Sequence, residues 1–311
     1  MCVERLFQSP NFFQVCVDWQ RLMLLVCLFC ASAGSATAAV TASNPAVALR
    51  DRYVTLHEQL NHNPFQQPLV LSSTESSSDL QGDIYALVDY PLAIVSTALQ
   101  GSTHWCDVLI LHINTKYCHA ATSPAGTTMS VNIGSKNAQQ LEQSYRVEFK
   151  YRLVTSQPDY FQVQFHAEEG PLSTSNYRIM LEAVAIGRGQ TFVHLRYSYA
   201  YGFASELAMK SYLLTLGRSK VGFTIVGKQP DGQPEYMQGM RGVVERNTMR
   251  YFLAIEAYLS AVSAPPAQQL EQRLQHWFSA TERYPRQLHE VDRSTFLEMK
   301  RDEYLRQQTP Q

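Results

Sequence analysis

Residues 145–153 read YRVEFKYRL, and this stretch decides the fold class because it alternates between large apolar and charged side chains. A strand with this pattern has one apolar face and one charged face. The same period of two recurs at residues 129–133, 161–165 and 193–201. Repeated alternation of this kind is typical of antiparallel strands with one face on the core and the other in water. The sequence therefore predicts an antiparallel sheet in the centre of the chain.

Helices are predicted on both sides of these strands. A strand at about 82–90, two short helices at about 91–106 and a strand ending near Cys118 come first. A helix at about 203–216 follows the alternating stretches, and the longest helix runs over about 238–262. Because the apolar face of the sheet must be covered, we expect the long helix to pack against it. The predicted fold class is α+β, with a curved antiparallel sheet wrapped around a long C-terminal helix and extra helices at both ends.

The extra helices lie outside this core pattern. Asn44-Pro45 is a helix-start signal, and an apolar stripe of four residues follows it. The stripe consists of Leu49, Tyr53, Leu56 and Leu60. The serine-rich residues 72–78 are predicted to form a loop. Two charged helices are expected at about 267–283 and about 295–307, the second beginning at the capping-box pattern Thr295-x-x-Glu298.

The beginning of the chain has the pattern of a secretory signal. Residues 22–34 read LMLLVCLFCASAG, an uncharged apolar run that is short for a membrane span, and Ala36-Thr37-Ala38 has the A-x-A form of a cleavage site. We expect cleavage after about residue 38 and a periplasmic or secreted protein; an uncleaved anchor is the alternative. The formal net charge is −1, and it stays −1 without residues 1–38, which hold two basic and two acidic residues. Such a balance argues against a nucleic-acid partner.

Cysteine usage agrees with export. Four of the six cysteines lie in residues 1–38, which leaves Cys106 and Cys118. Two thiols in an oxidising compartment most simply form one disulfide, although two buried free cysteines are also compatible with the sequence. If residues 107–118 were one extended strand, the two cysteines would lie about 30 Å apart. The disulfide prediction therefore requires a bend or a continued helix between them.

In this order of elements the chain resembles the START-like superfamily, also called the helix-grip or polyketide-cyclase-like fold. Residues 83–99, DIYALVDYPLAIVSTAL, followed by residues 101–109, GSTHWCDVL, match the way such domains open: a strand, a helix pair and a tryptophan near its end. The resemblance implies a cavity between the sheet and the long helix. It divides the chain into a signal peptide (1–38), an N-terminal helix and linker (39–78), a START-like domain (79–264) and a C-terminal helical extension (265–311).

The long helix carries the first candidate ligand-binding residues. Its apolar stripe is formed by Met240, Val244, Asn247, Tyr251, Ala254 and Tyr258. Asn247 is the polar member, and its buried amide needs a partner, since an unpaired one costs about 1–3 kcal/mol. That partner is the sheet, an ordered water or a ligand. Arg246 and Arg250 flank the stripe and could reach a cavity mouth, or they could form a solvated ion-pair face with Glu245.

Two strands supply the opposing candidates. Tyr197, Tyr199 and Tyr201 share one apolar face and form either an amphipathic wall for a ligand or ordinary aromatic core packing. Trp105 joins this candidate site through the resemblance. His112, Asn114 and Lys116 share the other face of the strand ending near Cys118, and an outer wet face is the favoured interpretation there.

No catalytic motif, metal-ligand pattern or phosphate loop is found, so no catalytic residue, metal or cofactor is assigned. The expected function is binding or carriage of a hydrophobic small molecule such as a lipid, which the resemblance implies. The alternatives are an envelope structural or interaction protein with a filled core, whose partner surface would be the C-terminal helices, and a cyclase- or hydrolase-type enzyme.

Overall fold

The computed structural model describes residues 44–202 and 220–309, in which there are seven helices and ten strands. The helices are α1 (Pro45–Asn61), α2 (Leu92–Leu99), α3 (Ser102–Leu109), α4 (Gly239–Ser260), α5 (Pro266–Glu282), α6 (Pro285–Leu288) and α7 (Arg293–Gln307). The strands are β1 (Leu69–Glu75), β2 (Asp79–Val88), β3 (Thr115–Ser123), β4 (Gly126–Ile133), β5 (Tyr145–Ser156), β6 (Tyr160–Glu169), β7 (Ser175–Ile186), β8 (Gln190–Ala200), β9 (Ile225–Lys228) and β10 (Pro234–Tyr236). The predicted signal peptide and the predicted helix at 203–216 lie outside the described residues.

Eight strands form one curved, open antiparallel sheet in the order β1-β2-β8-β7-β6-β5-β4-β3, and β9 pairs with β10 in a separate hairpin. The long helix α4 crosses the concave face at β1, β2 and β8. Gly82 on β2 permits this close approach, because a Cβ atom there would lie 2.2 Å from Thr248 Oγ1 of α4. The predicted α+β class, a curved antiparallel sheet with a long C-terminal helix and added helices, is confirmed.

The main core lies between the concave face and the helices. The alternating residues predicted to face inward do so: Val147 and Phe149 on β5, and Val193 and Leu195 on β8, are buried in one hydrophobic cluster with α4. The helix pair α2–α3 closes one end of this core, where Leu92, Val95, Trp105 and Val108 are buried. Strand alternation in the sequence thus determines which face of the sheet receives α4.

The convex face is not uniformly wet, contrary to the expectation from the alternating pattern. Helix α1 packs on it, with Leu49, Leu56 and Leu60 buried against Tyr160, Val184 and Phe192 of three strands. Asn44 caps the helix as predicted, since its Oδ1 accepts a hydrogen bond of 2.9 Å from the Ala46 N–H. The apolar stripe of α1 needed a partner, and apolar residues on the outer face of β6, β7 and β8 provide it.

Next to this contact the convex face buries a charged network. His194 lies between two carboxylates, with Nε2 2.7 Å from Asp83 Oδ1 and Nδ1 2.8 Å from Glu182 Oε1. Arg196 donates to the same Asp83 oxygen, and the Tyr160 hydroxyl donates to Glu182. Burial alone would lower the pKa of His194, but the two carboxylates outweigh it and raise that pKa above 6.5. The imidazolium and the carboxylates therefore stabilise one another.

Two local predictions are wrong. The serine-rich segment forms β1, which pairs with β2 from Leu69↔Ala86 to Glu75↔Leu80 at the sheet edge. Ser73 is buried there because its hydroxyl donates to Glu245 of α4 at 2.6 Å. Helix α7 begins earlier than the capping-box pattern indicated: the side chain of Asp292 accepts from the Thr295 N–H, so Asp292 is the N-cap.

The predicted disulfide is present. Cys106 on α3 and Cys118 on β3 are bonded, with their Cα atoms 5.2 Å apart. The required bend is also present, since α3 continues to Leu109 and hydrogen-bonded turns reverse the chain before Thr115. The disulfide therefore connects the helix pair α2–α3 to β3, an edge strand of the sheet.

The strand predicted to end near Cys118 instead begins at Thr115, and this changes the surroundings of three polar residues. His112 and Asn114 lie in the turn before β3, and His112 and Lys116 are buried rather than on a wet face. Lys116 Nζ and Lys300 Nζ of α7 lie 2.9 and 2.7 Å from the two carboxylate oxygens of Glu303. Lys300 also donates to the carbonyl groups of His112 and Thr115. This lysine–glutamate–lysine cluster attaches α7 to the turn.

The C-terminal helices α5 and α7 join the same core. Leu274 and Trp277 of α5 and Phe296 of α7 are buried, and Trp277 stacks on Phe296 with ring centroids 4.8 Å apart. The Trp277 indole donates to the Arg250 carbonyl of α4. Their apolar faces are therefore buried within this chain. Among the described residues, no helix has the length and apolar character needed to cross a membrane.

Candidate functional site

Four tyrosines form a ring-to-ring cluster on the concave face, which we call the tyrosine cluster: Tyr177 of β7, Tyr197 and Tyr199 of β8, and Tyr251 of α4. Tyr177 stacks on Tyr199 with centroids 5.1 Å apart, and Tyr197 lies 5.2 Å from Tyr251. The alternation of β8 and the stripe of α4 place these rings opposite one another. The structure thus brings together three predicted site residues, Tyr197, Tyr199 and Tyr251, and adds Tyr177.

The hydroxyl groups of this cluster remain neutral. Burial raises the pKa of Tyr177 to about 12, and it also raises the pKa values of Tyr197, Tyr199 and Tyr251 well above 10. A neutral phenol can donate and accept hydrogen bonds, and its ring offers a large apolar surface. The cluster therefore has the chemistry of an amphipathic wall rather than of a proton-transfer site.

Helix α4 is incompletely covered along one side, in a row of residues that ends at Tyr251 of this cluster. Between residues 242 and 255, partial exposure is confined to Val243, Asn247 and Tyr251, which lie one turn apart on the same side of the helix. Within the described part of the chain, the Asn247 side chain accepts one long hydrogen bond of 3.4 Å, from Arg250 Nη1, and no strand of the sheet bonds it. The amide predicted to be buried in the stripe is half-buried, so it is accessible to a molecule that lies along this row of α4.

His112 supplies a buried polar group beside this row. Its ring stacks on Tyr251 with centroids 4.7 Å apart, and it is 3% exposed. Nδ1 accepts from the Asn114 N–H, so the ring proton is assigned to Nε2, which has no hydrogen-bond partner among the described residues. Burial and the nearby cations Arg250, Lys300, Lys116 and Lys136 hold the pKa of His112 well below 6.5. His112 is therefore a neutral imidazole with an unsatisfied N–H group, an arrangement that calls for an explanation.

Arg246 and Arg250 of α4 are buried, and the solvated ion-pair face with Glu245 that was one alternative is not formed. Arg250 Nη2 lies 2.6 Å from Glu290 Oε1, and Arg246 Nη1 donates to the Val221 carbonyl at 3.2 Å. Glu245 accepts instead from Ser73, Phe223 and Thr224. These residues point away from solvent because loop and C-terminal segments absent from the simple sheet-and-helix pattern pack over them.

The other two predicted site residues, Tyr201 and Trp105, lie apart from the partly exposed row of α4 (Val243, Asn247 and Tyr251). The Tyr201 hydroxyl donates to the Ser76 carbonyl at 2.8 Å, at the turn of the β1–β2 hairpin. Trp105 donates from its indole to the Leu99 carbonyl at 2.7 Å and packs edge-on against Phe165 of β6. Trp105 therefore fills the concave side near the helix pair.

Sequence analysis missed the position of His112, because period-two alternation was extended through a turn that is not a strand. No local signal marks this turn, since its reversal depends on the disulfide and on Lys300, which is far away in the chain. No group of three or more His, Cys, Asp or Glu residues in ranges 44–202 and 220–309 is arranged to hold a metal ion.

No protein-family model matches the chain, and no curated protein matches it in sequence. Solved structures similar to it include a conserved protein from Geobacillus kaustophilus, with 10% identity, 58% of this chain and 95% of that chain covered and a TM-score of 0.35. Human StAR-related lipid transfer protein 5 has 8% identity, coverages of 55% and 89% and a TM-score of 0.31. Norcoclaurine synthase from Thalictrum flavum, in complex with dopamine and hydroxybenzaldehyde, has 16% identity, coverages of 46% and 81% and a TM-score of 0.32. The START-like prediction is confirmed as a fold, by the sheet-and-helix arrangement.

Proposed function

We propose that this protein binds a hydrophobic, lipid-like small molecule between the concave face of the sheet and α4. The tyrosine cluster would form the wall of the site, while Asn247 and His112 would meet the polar part of the ligand. The observation that carries the proposal is the buried Nε2–H of His112, which has no partner in ranges 44–202 and 220–309 and lies next to the incompletely covered row of α4. A hydrogen-bond acceptor on a ligand would remove the cost of about 1–3 kcal/mol that an unsatisfied buried donor carries.

The surroundings favour an apolar ligand with few polar atoms. Rings of Tyr197 and Tyr251 present apolar surface, and the neutral state of His112 makes it a donor without charge. Sites of this kind use a mostly hydrophobic lining and a few placed polar groups to orient the bound molecule. We therefore propose a ligand whose polar end accepts hydrogen bonds from His112 and Asn247.

We further propose that binding takes place in the periplasm or outside the cell. The Cys106–Cys118 disulfide supports this, because such bonds persist in oxidising compartments. An envelope protein partner at the outward faces of α5 and α7 stays a prediction.

The proposal is tested by extracting protein purified from the periplasm with organic solvent and identifying co-purified molecules by mass spectrometry. A matched pair of variants isolates the His112 donor: His112→Asn keeps an acceptor near the Nδ1 position, and His112→Gln keeps a donor near Nε2. We expect the parent and His112→Gln to retain the molecule and His112→Asn to lose most of it. A parent extract without any lipid-like molecule, together with no binding of a fluorescent fatty-acid probe, would contradict the proposal.

A further inference from the structure

A cleft lies at the C-terminal end of α4, away from the tyrosine cluster. The cleft, of about 300 Å³, lies between the end of β2, the last turns of α4 and α5. Its apolar lining comes from Pro68, Ala86, Val88, Phe252 and Leu259. This volume is at the small end of the range of about 300–1,000 Å³ for small-molecule sites, so it suits a ligand of one ring rather than a long lipid.

Acidic groups dominate the polar part of this lining. Glu256 of α4 and Asp89 after β2 line the cleft together with His276 of α5, and no lysine or arginine is among the lining residues. The nearest cation, Arg283, lies 3.8 Å from Glu256 and shares its guanidinium with the Gln67 side chain. Among the described residues, Glu256 is a partly buried carboxyl group whose salt-bridge partner, Arg283, lies 3.8 Å away.

The ionisation of Glu256 reflects this weak compensation. Burial raises its pKa to about 7, against a smaller opposite effect of Arg283. Burial and the same arginine lower the pKa of His276, so this imidazole is neutral near pH 7. The titratable and charged groups that face Glu256 are Arg283, His276, Asp89, Tyr90 and Tyr284. A second cation near Glu256 would favour its ionised form.

One further polar atom faces the same place. Gln67 lines the cleft, and its Nε2 is buried without a hydrogen-bond partner in the described part of the chain. Its Oε1 accepts from Arg283, which fixes the amide orientation. The cleft thus offers two different polar contacts: its carboxylates can accept hydrogen bonds from a ligand, and the Gln67 amide can donate one to an acceptor atom elsewhere on the ligand.

We propose that this cleft is a binding site for a small organic cation, an amine with an apolar body, whose ammonium group pairs with Glu256 and Asp89. The apolar body would pack on Phe252, Leu259 and Val88. The cleft shares no lining residue with the tyrosine cluster, His112 or Asn247, so the two proposals can fail independently.

The test uses isothermal titration of the full folded protein with three probes of similar shape: benzylamine, benzyl alcohol and benzoate. We expect benzylamine to bind most tightly and benzoate most weakly. If the ammonium binds only the ionised carboxylate, the affinity for benzylamine should rise about tenfold between about pH 6 and about pH 8, a range in which the amine stays protonated. The affinity for benzyl alcohol should change little.

Variants test whether Glu256 causes the preference for benzylamine and its pH dependence. Glu256→Gln should remove both the preference for benzylamine and its pH dependence, whereas Glu298→Gln, the same change at an exposed position of α7, should leave both unchanged. Ser260→Leu, which fills the cleft from the last turn of α4, should weaken benzylamine binding if Glu256→Gln does not fold. Equal binding of benzylamine and benzyl alcohol, tighter binding of benzoate, or unchanged benzylamine binding in Ser260→Leu would overturn the proposal.

Discussion

Asn247 lies in the middle of α4, and its one side-chain hydrogen bond to another described residue is the long one from Arg250, so we expect its amide to contribute little to the free energy of unfolding. Replacing it with Leu should change the free energy of unfolding by less than about 1 kcal/mol, because no short hydrogen bond is lost. Retention of the co-purified molecule should fall, since a polar contact in the proposed concave-face site is removed. Denaturant melts and mass spectrometry of both proteins measure this, with Asn247→Gln as the control that keeps the amide. A stability loss of about 1–3 kcal/mol with no bound molecule in the parent would instead indicate a filled core.

The network around His194 should make stability depend on pH. The folded-state pKa of His194 is raised above 6.5, so its contribution is complete below about pH 6.5 and is lost as the pH rises through the folded value. The pKa values of Asp83 and Glu182 are lowered, against burial, mainly by their hydrogen bonds to His194. The contributions of these two carboxylates to stability are present above about pH 4.5 and are lost as the pH falls through their folded-state pKa values. The network therefore stabilises the fold most between about pH 4.5 and about pH 6.5.

Comparison of the parent with His194→Gln isolates this effect from that of other titrating groups. The stability difference should be greatest near about pH 5.5 and should shrink above about pH 7, measured by urea unfolding at each pH. A difference that stayed constant from about pH 5 to about pH 8 would show that His194 contributes packing alone.

At the scale of elements, α7 is attached to the sheet through Glu303, which accepts from two lysines. Lys116 and Lys300 are fully buried, and burial lowers the pKa of Lys300 to about 8 despite Glu303. Removing the shared anion by Glu303→Gln leaves two buried ammonium groups without a counter-charge, so unfolding should become easier by about 3–5 kcal/mol. Thermal melts of this variant and of Glu298→Gln, on the exposed side of the same helix, should differ accordingly. A loss below about 1 kcal/mol would mean that backbone carbonyls alone satisfy both lysines.

At the scale of the whole molecule, sequence patterns predicted correctly those helices and strands whose formation depends on neighbouring residues. Alternation in β5 and β8, the cap at Asn44 and the stripe of α4 give elements whose type depends on a few neighbouring residues. The wrong predictions concern segments whose structure depends on contacts with residues far away in the sequence. Strand β1 forms on a serine-rich segment because β2 pairs with it, and Ser73 is buried because Glu245 accepts its hydroxyl. The two proposed sites depend likewise on packing between remote segments, so tyrosines of one strand could be predicted but His112 and Glu256 could not.

The positions of the cysteines in the sequence agree with the proposed export and cleavage of the chain. Four cysteines lie in residues 1–38, and the other two form the disulfide, so an exported and cleaved chain contains no free thiol. We expect the intact mass of protein from a periplasmic fraction to correspond to a chain that starts near Ala39. Alkylation of the same protein, unfolded without reductant, should label no cysteine, because the bond closing 12 residues of sequence separation persists in an oxidising compartment. Reduction before labelling should give two labelled cysteines, as the matched control. A chain that kept its first 38 residues, with labelled thiols besides Cys106 and Cys118, would contradict both cleavage and the proposed location.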